Sequence, residues 1–185
     1  MIYSIVAYGY PVLKQKALAI YKNDASLNLP KLIEDMYETM YNANGVGLAA
    51  PQIGLGIRLF VIDTEKMDDD KEGIKRVFIN PQILEESGEE WAFEEGCLSI
   101  PNIRDDVYRK PKIKIQYLDE DWKEQIVEFE GIEARVIQHE YDHIEGVLFT
   151  DHLSAFKKTL LKSKLNNISK GKVKVDYKMK FPAAK

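Results

Sequence analysis

The sequence predicts an α+β fold, and three patterns along the chain support that prediction. Apolar residues recur at helical spacing from Leu29 to Met40, and a second helical stretch runs from 132 to 145. Between these two stretches, apolar and polar residues alternate over Lys112–Leu118, and the chain then turns back. Helices at several points with antiparallel hairpins between them are typical of α+β proteins.

The first half of the chain is predicted to contain one long helix, from Leu29 to Ala43. Asn28 stands where a capping side chain belongs, and Pro30 suits the first helical turn. Asn44-Gly45 is expected to end the helix, because both residues tolerate the left-handed backbone of a helix end. The segments predicted next are a strand at 57–62, an exposed polar loop at 67–73 and a strand at 77–79 that breaks at Asn80-Pro81.

The second half is predicted to hold a hairpin, two helices and a last strand. Ile113, Ile115 and Tyr117 face one side of the first strand while polar residues face the other, as expected where one face is buried. Gly146 is expected to end the longer helix. The predicted segments are strands at 112–118 and 125–129, helices at 132–145 and 153–165, and a strand at 172–177.

Length and composition fit one globular domain over residues 1–185. Of the 185 residues, 45% are apolar and 30% are charged, which is ordinary for a soluble protein. No apolar run approaches the ~20 residues of a membrane helix, and Met1–Ala7 does not resemble a secretion signal. We therefore expect a cytoplasmic protein and, as its simplest state, a monomer.

Charge is unevenly distributed along the chain. The whole chain carries a net −4, yet residues 157–185 contain ten lysines and one acidic residue, Asp176. The overall charge argues against a general nucleic-acid binder. The basic C-terminal segment at 157–185 is either a solubilising surface or a site that docks on a polyanion.

His139-Glu140-Tyr141-Asp142-His143 forms an H-E-x-x-H motif on the second predicted long helix. Histidines at i and i+4 lie on one helix face, so both imidazoles can reach one metal ion. Glu140 lies about 100° round the helix from His139, where it can take a proton from water beside the metal. The alternative is a pair of hydrogen-bonded core histidines.

A catalytic metal usually has three protein ligands and an open position. Cys97 is the only cysteine in the chain, so an intramolecular disulfide is excluded. It lies in Glu95-Gly96-Cys97-Leu98-Ser99, where Gly96 permits a close backbone approach. Cys97 is therefore the candidate third ligand, held as a thiolate.

A third segment, Gly45-Val46-Gly47-Leu48-Ala49-Ala50-Pro51-Gln52, combines small residues with a terminal amide. Two glycines and a proline describe a tight backbone beside something that must come close. The Gln52 amide can donate a hydrogen bond to an oxyanion. Taken alone, the segment also fits a simple turn entering a strand.

Together the three segments resemble the peptide deformylase family. Its motifs, with h for an apolar residue, are G-h-G-h-A-A-P-Q, E-G-C-h-S and Q-H-E-h-D-H. They match residues 45–52, 95–99 and 138–143 in the family's order, and the resemblance extends from the first helix to about Gly146. It implies antiparallel strands packed around a central metal-binding helix.

The resemblance also implies a reaction, the removal of the N-terminal formyl group from newly made polypeptides as formate. It assigns Cys97, His139 and His143 to a divalent metal, with iron(II) expected in the cell and zinc, nickel or cobalt as alternatives. Glu140 would move the proton. Gln52 and the backbone N–H of Leu98 would stabilise the oxyanion. The residues expected to bind the substrate are Gly45, Val46, Gly47, Arg104, Ile132 and Val136.

Supporting roles are expected for residues near the ligands. Glu95 and Arg109 are predicted to form an ion pair, and Asp142 to orient a ligand imidazole. His152 lies outside all three motifs and is interpreted as structural. A nascent-peptide substrate makes the ribosome a candidate partner for the basic C-terminal segment.

Two other functions remain open from the residues. A zinc endopeptidase also uses H-E-x-x-H, but its third ligand usually follows the motif, where only Glu145 and His152 are available. A structural metal module usually has four protein ligands, and Glu140 would then have no role. Formate release compared with cleavage of internal peptide bonds separates the enzymatic alternatives.

Overall fold

A five-stranded antiparallel sheet and the helix packed on it form the centre of the fold. A computed structural model describes residues 1–65, 67 and 72–182. The elements, in chain order, are β1 (Ile5–Val6), α1 (Leu29–Asn42), β2 (Gly47–Ala49), β3 (Leu59–Asp63), β4 (Lys75–Ser87), β5 (Trp91–Cys97), β6 (Ile100–Arg109), β7 (Lys112–Leu118), β8 (Glu124–Glu130), α2 (Gly131–Ile144), α3 (Ala155–Ser169) and β9 (Met179–Lys180).

The main sheet has the strand order β2-β3-β4-β7-β8. Strands β5 and β6 form a separate antiparallel pair, and β1 pairs with β9 in parallel. Helix α2 buries Ala134, Ile137 and Ile144 against apolar side chains of the sheet, among them Phe60 and Phe78. This arrangement confirms the predicted α+β fold with antiparallel strands around a central helix.

Helix α1 is confirmed almost residue for residue. The Asn28 side chain accepts a hydrogen bond from the backbone N–H of Lys31 at 3.2 Å, which caps the helix as predicted. Met36 and Met40 are fully buried, so the apolar stripe of the helix faces the core. Asn44 adopts a positive φ of 54° just after the helix, the conformation expected at a helix end.

The predicted break at Asn80-Pro81 is wrong, because β4 continues through it to Ser87. Asn80 takes a φ of 48°, and the pairing with β7 shifts register between Ile79 and Gln82. The Asn80 side chain bonds the backbone of Ile20 in both directions, at 2.9 and 2.7 Å. The dipeptide is therefore a bulge anchored to a neighbouring segment. The exposed loop predicted at 67–73 lies largely outside the described residues.

The C-terminal predictions need two corrections. Helix α3 begins at Ala155, where Ser154 caps it, and extends beyond the predicted end to Ser169. No strand is assigned at 172–177; the strand that follows α3 is β9, at Met179–Lys180. Residues 172–177 nevertheless keep an alternating burial pattern, because the extended backbone packs its odd-numbered side chains inward without pairing to a sheet.

Across the described residues, no helix combines the length and apolar character needed to span a bilayer.

Candidate metal centre

Helix α2 and the tip of the β5–β6 hairpin bring three metal-binding side chains together. His139 and His143 lie one turn apart on α2, and Cys97 is the last residue of β5. One donor atom from each residue lies within 4.8 Å of the other two. The Cys97 Sγ and His143 Nε2 atoms are 3.3 Å apart.

Glu95 orients the first histidine. A Glu95 carboxylate oxygen lies 2.8 Å from His139 Nδ1, which leaves the other ring nitrogen for the centre. The predicted ion pair of Glu95 with Arg109 is present, at 2.8 and 3.1 Å. Arg135, from α2, adds a third contact at 2.9 Å. Two buried guanidinium groups thus fix the position of the Glu95 carboxylate, and its hydrogen bond to His139 fixes the orientation of that imidazole.

The prediction that Asp142 orients a ligand imidazole is wrong. Its carboxylate accepts hydrogen bonds from Arg109 at 2.8 Å and from His152 at 2.7 Å. Because Arg109 also holds Glu95, Asp142 supports the centre one step further away. His152 touches no ligand in these contacts, which agrees with its structural interpretation.

The electrostatics around Cys97 favour the thiolate. Burial raises the pKa of the Cys97 thiol, but His143 and His139 outweigh burial and lower that pKa to about 5. Burial likewise raises the pKa of Glu95, while hydrogen bonds from His139 and Arg109 hold it well below its usual range. Both groups are therefore anionic at neutral pH beside the two imidazoles.

The donor set fits a divalent transition metal. A thiolate and two imidazole nitrogens are the soft and intermediate ligands that such ions prefer, and three protein ligands leave a position open. His143 Nδ1 is buried without a hydrogen-bond partner. Among the described residues, this is the one group of three histidine, cysteine or acidic side chains with suitably close donor atoms.

Glu140 lies beside this centre, buried against β2. One of its carboxylate oxygens is buried with no hydrogen-bond partner. An unpaired buried oxygen lowers the stability of the fold unless a proton or a bound ligand satisfies it. Burial raises the pKa of Glu140 to about 7, with the two histidines opposing that rise. A Cβ on Gly47 would lie 2.4 Å from the carboxylate, so only glycine permits this approach.

The Gln52 amide has a defined orientation. Its oxygen accepts a hydrogen bond from the backbone N–H of Ala49 at 2.9 Å. Its nitrogen therefore points towards the centre, 3.6 Å from Cys97 Sγ and 3.4 Å from Ser99 Oγ. Because the side chain is buried, it presents a preorganised donor next to the metal-binding residues.

A cleft of about 590 Å³ opens over the centre. The predicted site residues that line it are Gly45, Val46, Gly47, Gln52, Cys97, Leu98, Arg104, Val136, His139 and Glu140. Ile132 packs against the apolar cluster under α2 and is not among the residues that line the cleft, so its place in the substrate pocket stays a prediction. Arg104 lies at the rim, where it pairs with Glu94 at 2.7 Å.

The residue pattern missed one wall of the cleft. Lys174, Val175, Asp176 and Tyr177 also line it, although they are 31 or more positions beyond His143. The motifs give no sign of this, because they end at His143. The only available signal was the alternating sequence of 173–181, which indicates an extended segment without saying where it packs.

The comparisons with known proteins agree on one family. The profile of the polypeptide deformylase family matches residues 2–159. A peptide deformylase of Cytophaga hutchinsonii is 61% identical over 186 residues, covering 100% of both chains. One of Christiangramia forsetii is 58% identical over 195 residues, covering 100% of this chain and 98% of the relative.

Solved structures give the same result. The crystal structure of a peptide deformylase from Legionella pneumophila has a TM-score of 0.80 at 41% identity, covering 93% of this chain and 98% of the other. That from Thermotoga maritima has a TM-score of 0.74 at 44% identity, covering 83% and 99%.

These matches do not favour the zinc endopeptidase alternative. H-E-x-x-H is the wrong motif by which to identify this family, because zinc endopeptidases share it. The resemblance depends on the longer motif at Gln138–His143. With its fold, its cleft and its relatives in agreement, the chain belongs to the polypeptide deformylase family.

Proposed function

We propose that Cys97, His139 and His143 hold the metal of a deformylase centre and that Glu140 moves the proton. Like its family, the chain is a metal-dependent hydrolase that removes the formyl group from N-formylmethionyl nascent polypeptides and releases formate. The observation that supports the assignment is the convergence of one thiolate and two imidazoles within 4.8 Å. Beside them lies the buried Glu140 carboxylate, one oxygen of which has no hydrogen-bond partner. We take residues 1–185 as one catalytic domain.

When bound by Cys97, His139 and His143, the metal would act as a Lewis acid towards water and the formyl carbonyl. Glu140 accepts the proton of the attacking water and returns it to the leaving amine, a role suited to a pKa of about 7. The Gln52 amide nitrogen and the Leu98 backbone N–H donate to the oxyanion that develops on the formyl oxygen. Because Ala49 fixes the Gln52 oxygen, the donor needs no reorientation during the reaction.

The peptide would lie along the free edge of the main sheet. Strand β2 is one of the two edge strands of that sheet. Gly45 precedes it and Gly47 begins it, and both line the cleft. An extended peptide can add to such an edge through backbone hydrogen bonds. Val46 and Val136 line the adjoining apolar wall and would receive the methionine side chain, while Arg104 would meet the peptide at the rim.

Iron(II) is the proposed ion in the cell, with zinc, nickel or cobalt as substitutes for the same ligands. A thiolate with two imidazoles accepts all four ions, so turnover must distinguish them. The test is formate release from formyl-Met-Ala-Ser by protein reconstituted anaerobically with each metal in turn. Activity with iron(II) that exceeds activity with zinc supports the assignment, and equal activity with both contradicts it.

The same preparations test the reaction itself. We expect stoichiometric formate from formyl-Met-Ala-Ser and no cleavage of the internal peptide bonds of an unformylated control peptide. Cleavage of internal bonds without formate release would restore the endopeptidase alternative. Size-exclusion chromatography of the same protein tests the proposed monomer.

The basic C-terminal segment is proposed to dock on the ribosome, the cytoplasmic source of the substrate. On α3, Lys158, Lys162 and Lys164 are exposed, and Phe156 and Leu160 are 73% and 62% exposed beside them. Lysines on one helix can associate with RNA phosphates and raise the local concentration of enzyme. Solubility alone would not require the two exposed apolar side chains.

Replacement of Lys158, Lys162 and Lys164 by Gln tests the docking. We expect unchanged activity on formyl-Met-Ala-Ser but weaker, less salt-sensitive co-sedimentation with ribosomes. A matched control replaces the exposed Lys22, Lys110 and Lys123 and removes the same charge elsewhere. Equal ribosome binding by both variants would leave α3 as a solubilising surface.

A further inference from the structure

After α3 the chain returns to the cleft and forms part of its wall. Residues 172–181, called the return segment below, lie beyond residue 159, where the family match ends. Four of them, Lys174–Tyr177, form a wall of the same cleft as Cys97 and Glu140. The segment is fastened by β9, which pairs with β1, and by a hydrogen bond from Asn102 Nδ2 to the Lys174 carbonyl at 3.2 Å.

Tyr177 connects this wall to the metal centre. Its hydroxyl donates a hydrogen bond to the Leu98 carbonyl at 2.7 Å. Its ring packs with the apolar cluster that contains Met36, Met40 and Leu48. The core therefore holds the ring of Tyr177, and its hydroxyl contacts the residue that directly follows Cys97.

The turn at Leu98 and Ser99 is constrained from several sides. The Ser99 carbonyl accepts a hydrogen bond from the Tyr8 N–H at 2.8 Å, and Gln52 approaches the Ser99 hydroxyl. On the opposite side, the Leu98 side chain packs so tightly on Gly45 that an added Cβ would lie 2.9 Å from it. Tyr177 adds a contact to the Leu98 carbonyl, which holds the peptide plane between Leu98 and Ser99. The plane that carries the Leu98 N–H is the adjoining one, between Cys97 and Leu98, and the two planes meet at the Leu98 Cα.

We propose that Tyr177 is a positioning residue for deformylation: by holding the Leu98 carbonyl, it aims the Leu98 N–H at the oxyanion of the formyl group. The proposal rests on the proposed function, in which that N–H is an oxyanion donor. It extends the active site to a part of the chain beyond residue 159, where the match to the family profile ends. Preorganised donors stabilise the transition state more than the bound substrate, so loss of the tether should appear in kcat.

Tyr177→Phe tests the tether, because it keeps the ring in the core and removes one hydroxyl group. Tyr10→Phe is the matched control: the Tyr10 hydroxyl bonds the Phe181 carbonyl of the same return segment at 3.0 Å, but Tyr10 does not line the cleft. Both variants lose one tyrosine hydrogen bond to the segment. Only Tyr177→Phe loses the bond that acts on Leu98.

We expect Tyr177→Phe to lower kcat for formyl-Met-Ala-Ser about 10-fold with KM within about twofold of the parent, which corresponds to one hydrogen bond. Tyr10→Phe should retain the parental kcat. Metal content, circular dichroism and Tm are measured for both variants, and assays run well below the lower Tm. Equal Tm losses in the two variants with unequal kcat separate positioning from a structural effect.

Three results would overturn the inference. A parental kcat in Tyr177→Phe means that the tether does not act on the reaction. A rise in KM alone makes Tyr177 a substrate contact, and equal kcat losses in the two variants make the return segment merely structural. Absence of formate release by the metal-loaded parent would instead reject the proposed function, and the inference with it.

Discussion

The antiparallel hairpins β5–β6 and β7–β8 both bury apolar side chains, but only one of them also buries charges. The hairpin β7–β8, the apolar hairpin, packs Ile113, Ile115 and Tyr117 into the core under α2. The hairpin β5–β6, the ionic hairpin, buries apolar residues of β6 in another cluster and, beside them, Glu95 and Arg109 against Arg135 of α2. These buried charges fix the ligand His139, and strand β5 ends at the ligand Cys97.

This difference indicates how the molecule separates stability from function. Buried ion pairs are weak sources of net stability but strongly penalise the loss of one partner. Apolar packing stabilises in proportion to the area removed from water. Damage to β5–β6 should therefore reach the metal centre, and equal damage to β7–β8 should remain in the core.

The largest expected effect is at the tip of the ionic hairpin. Cys97→Ala should lose most of the metal and nearly all formate release, because three ligands provide no redundancy. Metal content by elemental analysis and formate release are measured on the purified variant. Full metal occupancy in Cys97→Ala would remove the hairpin tip from the centre. His139→Ala and His143→Ala should behave alike.

Glu140→Ala should come next, with a loss of turnover of about 10²- to 10⁴-fold while the metal stays bound. Glu140 belongs to neither hairpin, and its role is proton transfer without coordination. Normal turnover by the metal-loaded variant would refute the proposed mechanism. Gly47→Ala offers an independent check, since its Cβ would displace the same carboxylate and should reduce turnover without removing any functional group.

Glu95→Gln tests the ionic hairpin itself. Arg109 and Arg135 would lose their shared carboxylate, which should lower the free energy of unfolding by about 3 kcal/mol. His139 would lose its orienting anion, which should weaken metal affinity about 10- to 100-fold. Urea unfolding and a competition titration with a metal chelator measure the two quantities. Parental metal affinity would mean that Glu95 only stabilises the fold.

Ile115→Ala is the counterpart in the apolar hairpin and has the smallest expected effect on the centre. The Ile115 side chain is fully buried. Its truncation should lower the free energy of unfolding by about 3 kcal/mol through the cavity that it leaves, a loss similar to that of Glu95→Gln. Metal affinity should remain parental. A comparable loss of metal affinity in both variants would show that the centre responds to stability alone, and the contrast between the hairpins would then fail.

The hairpins also explain which parts of the fold could be predicted from the sequence. The strict alternation of β7 predicted its bounds, 112–118, as the structure has them. No strand is predicted at β5 or β6, because charged residues interrupt the inward-facing apolar positions, Glu95 in β5 and Arg109 in β6. A pattern that assigns every charge to solvent does not detect a strand whose buried face includes charged side chains.

For the site, residues within the motifs could be predicted from the sequence, whereas contacts between distant parts of the chain could not. The motif residues 45–52, 95–99 and 138–143 could be identified together from the resemblance, and the structure brings them to one cleft. Carboxylates near metal ligands often orient imidazoles, which makes Asp142 the expected partner, whereas Glu95, 44 positions from His139, holds the imidazole. Tyr177 was missed because its contact depends on the path of the chain after α3.

The parallel pairing of β1 with β9 joins the first and last strands of the described chain, Ile5 with Met179 and Val6 with Lys180. During synthesis β1 emerges before the other described strands, and its partner β9 becomes available only after all the strands between them have been made. Contacts between such distant positions form late, because the entropy of closing a long loop is lost before the contacts contribute any stabilising free energy. The main sheet and α2 can therefore fold while β1 still lacks its partner strand. Because the cleft wall at Lys174–Tyr177 precedes β9, this wall of the cleft is completed only late in translation.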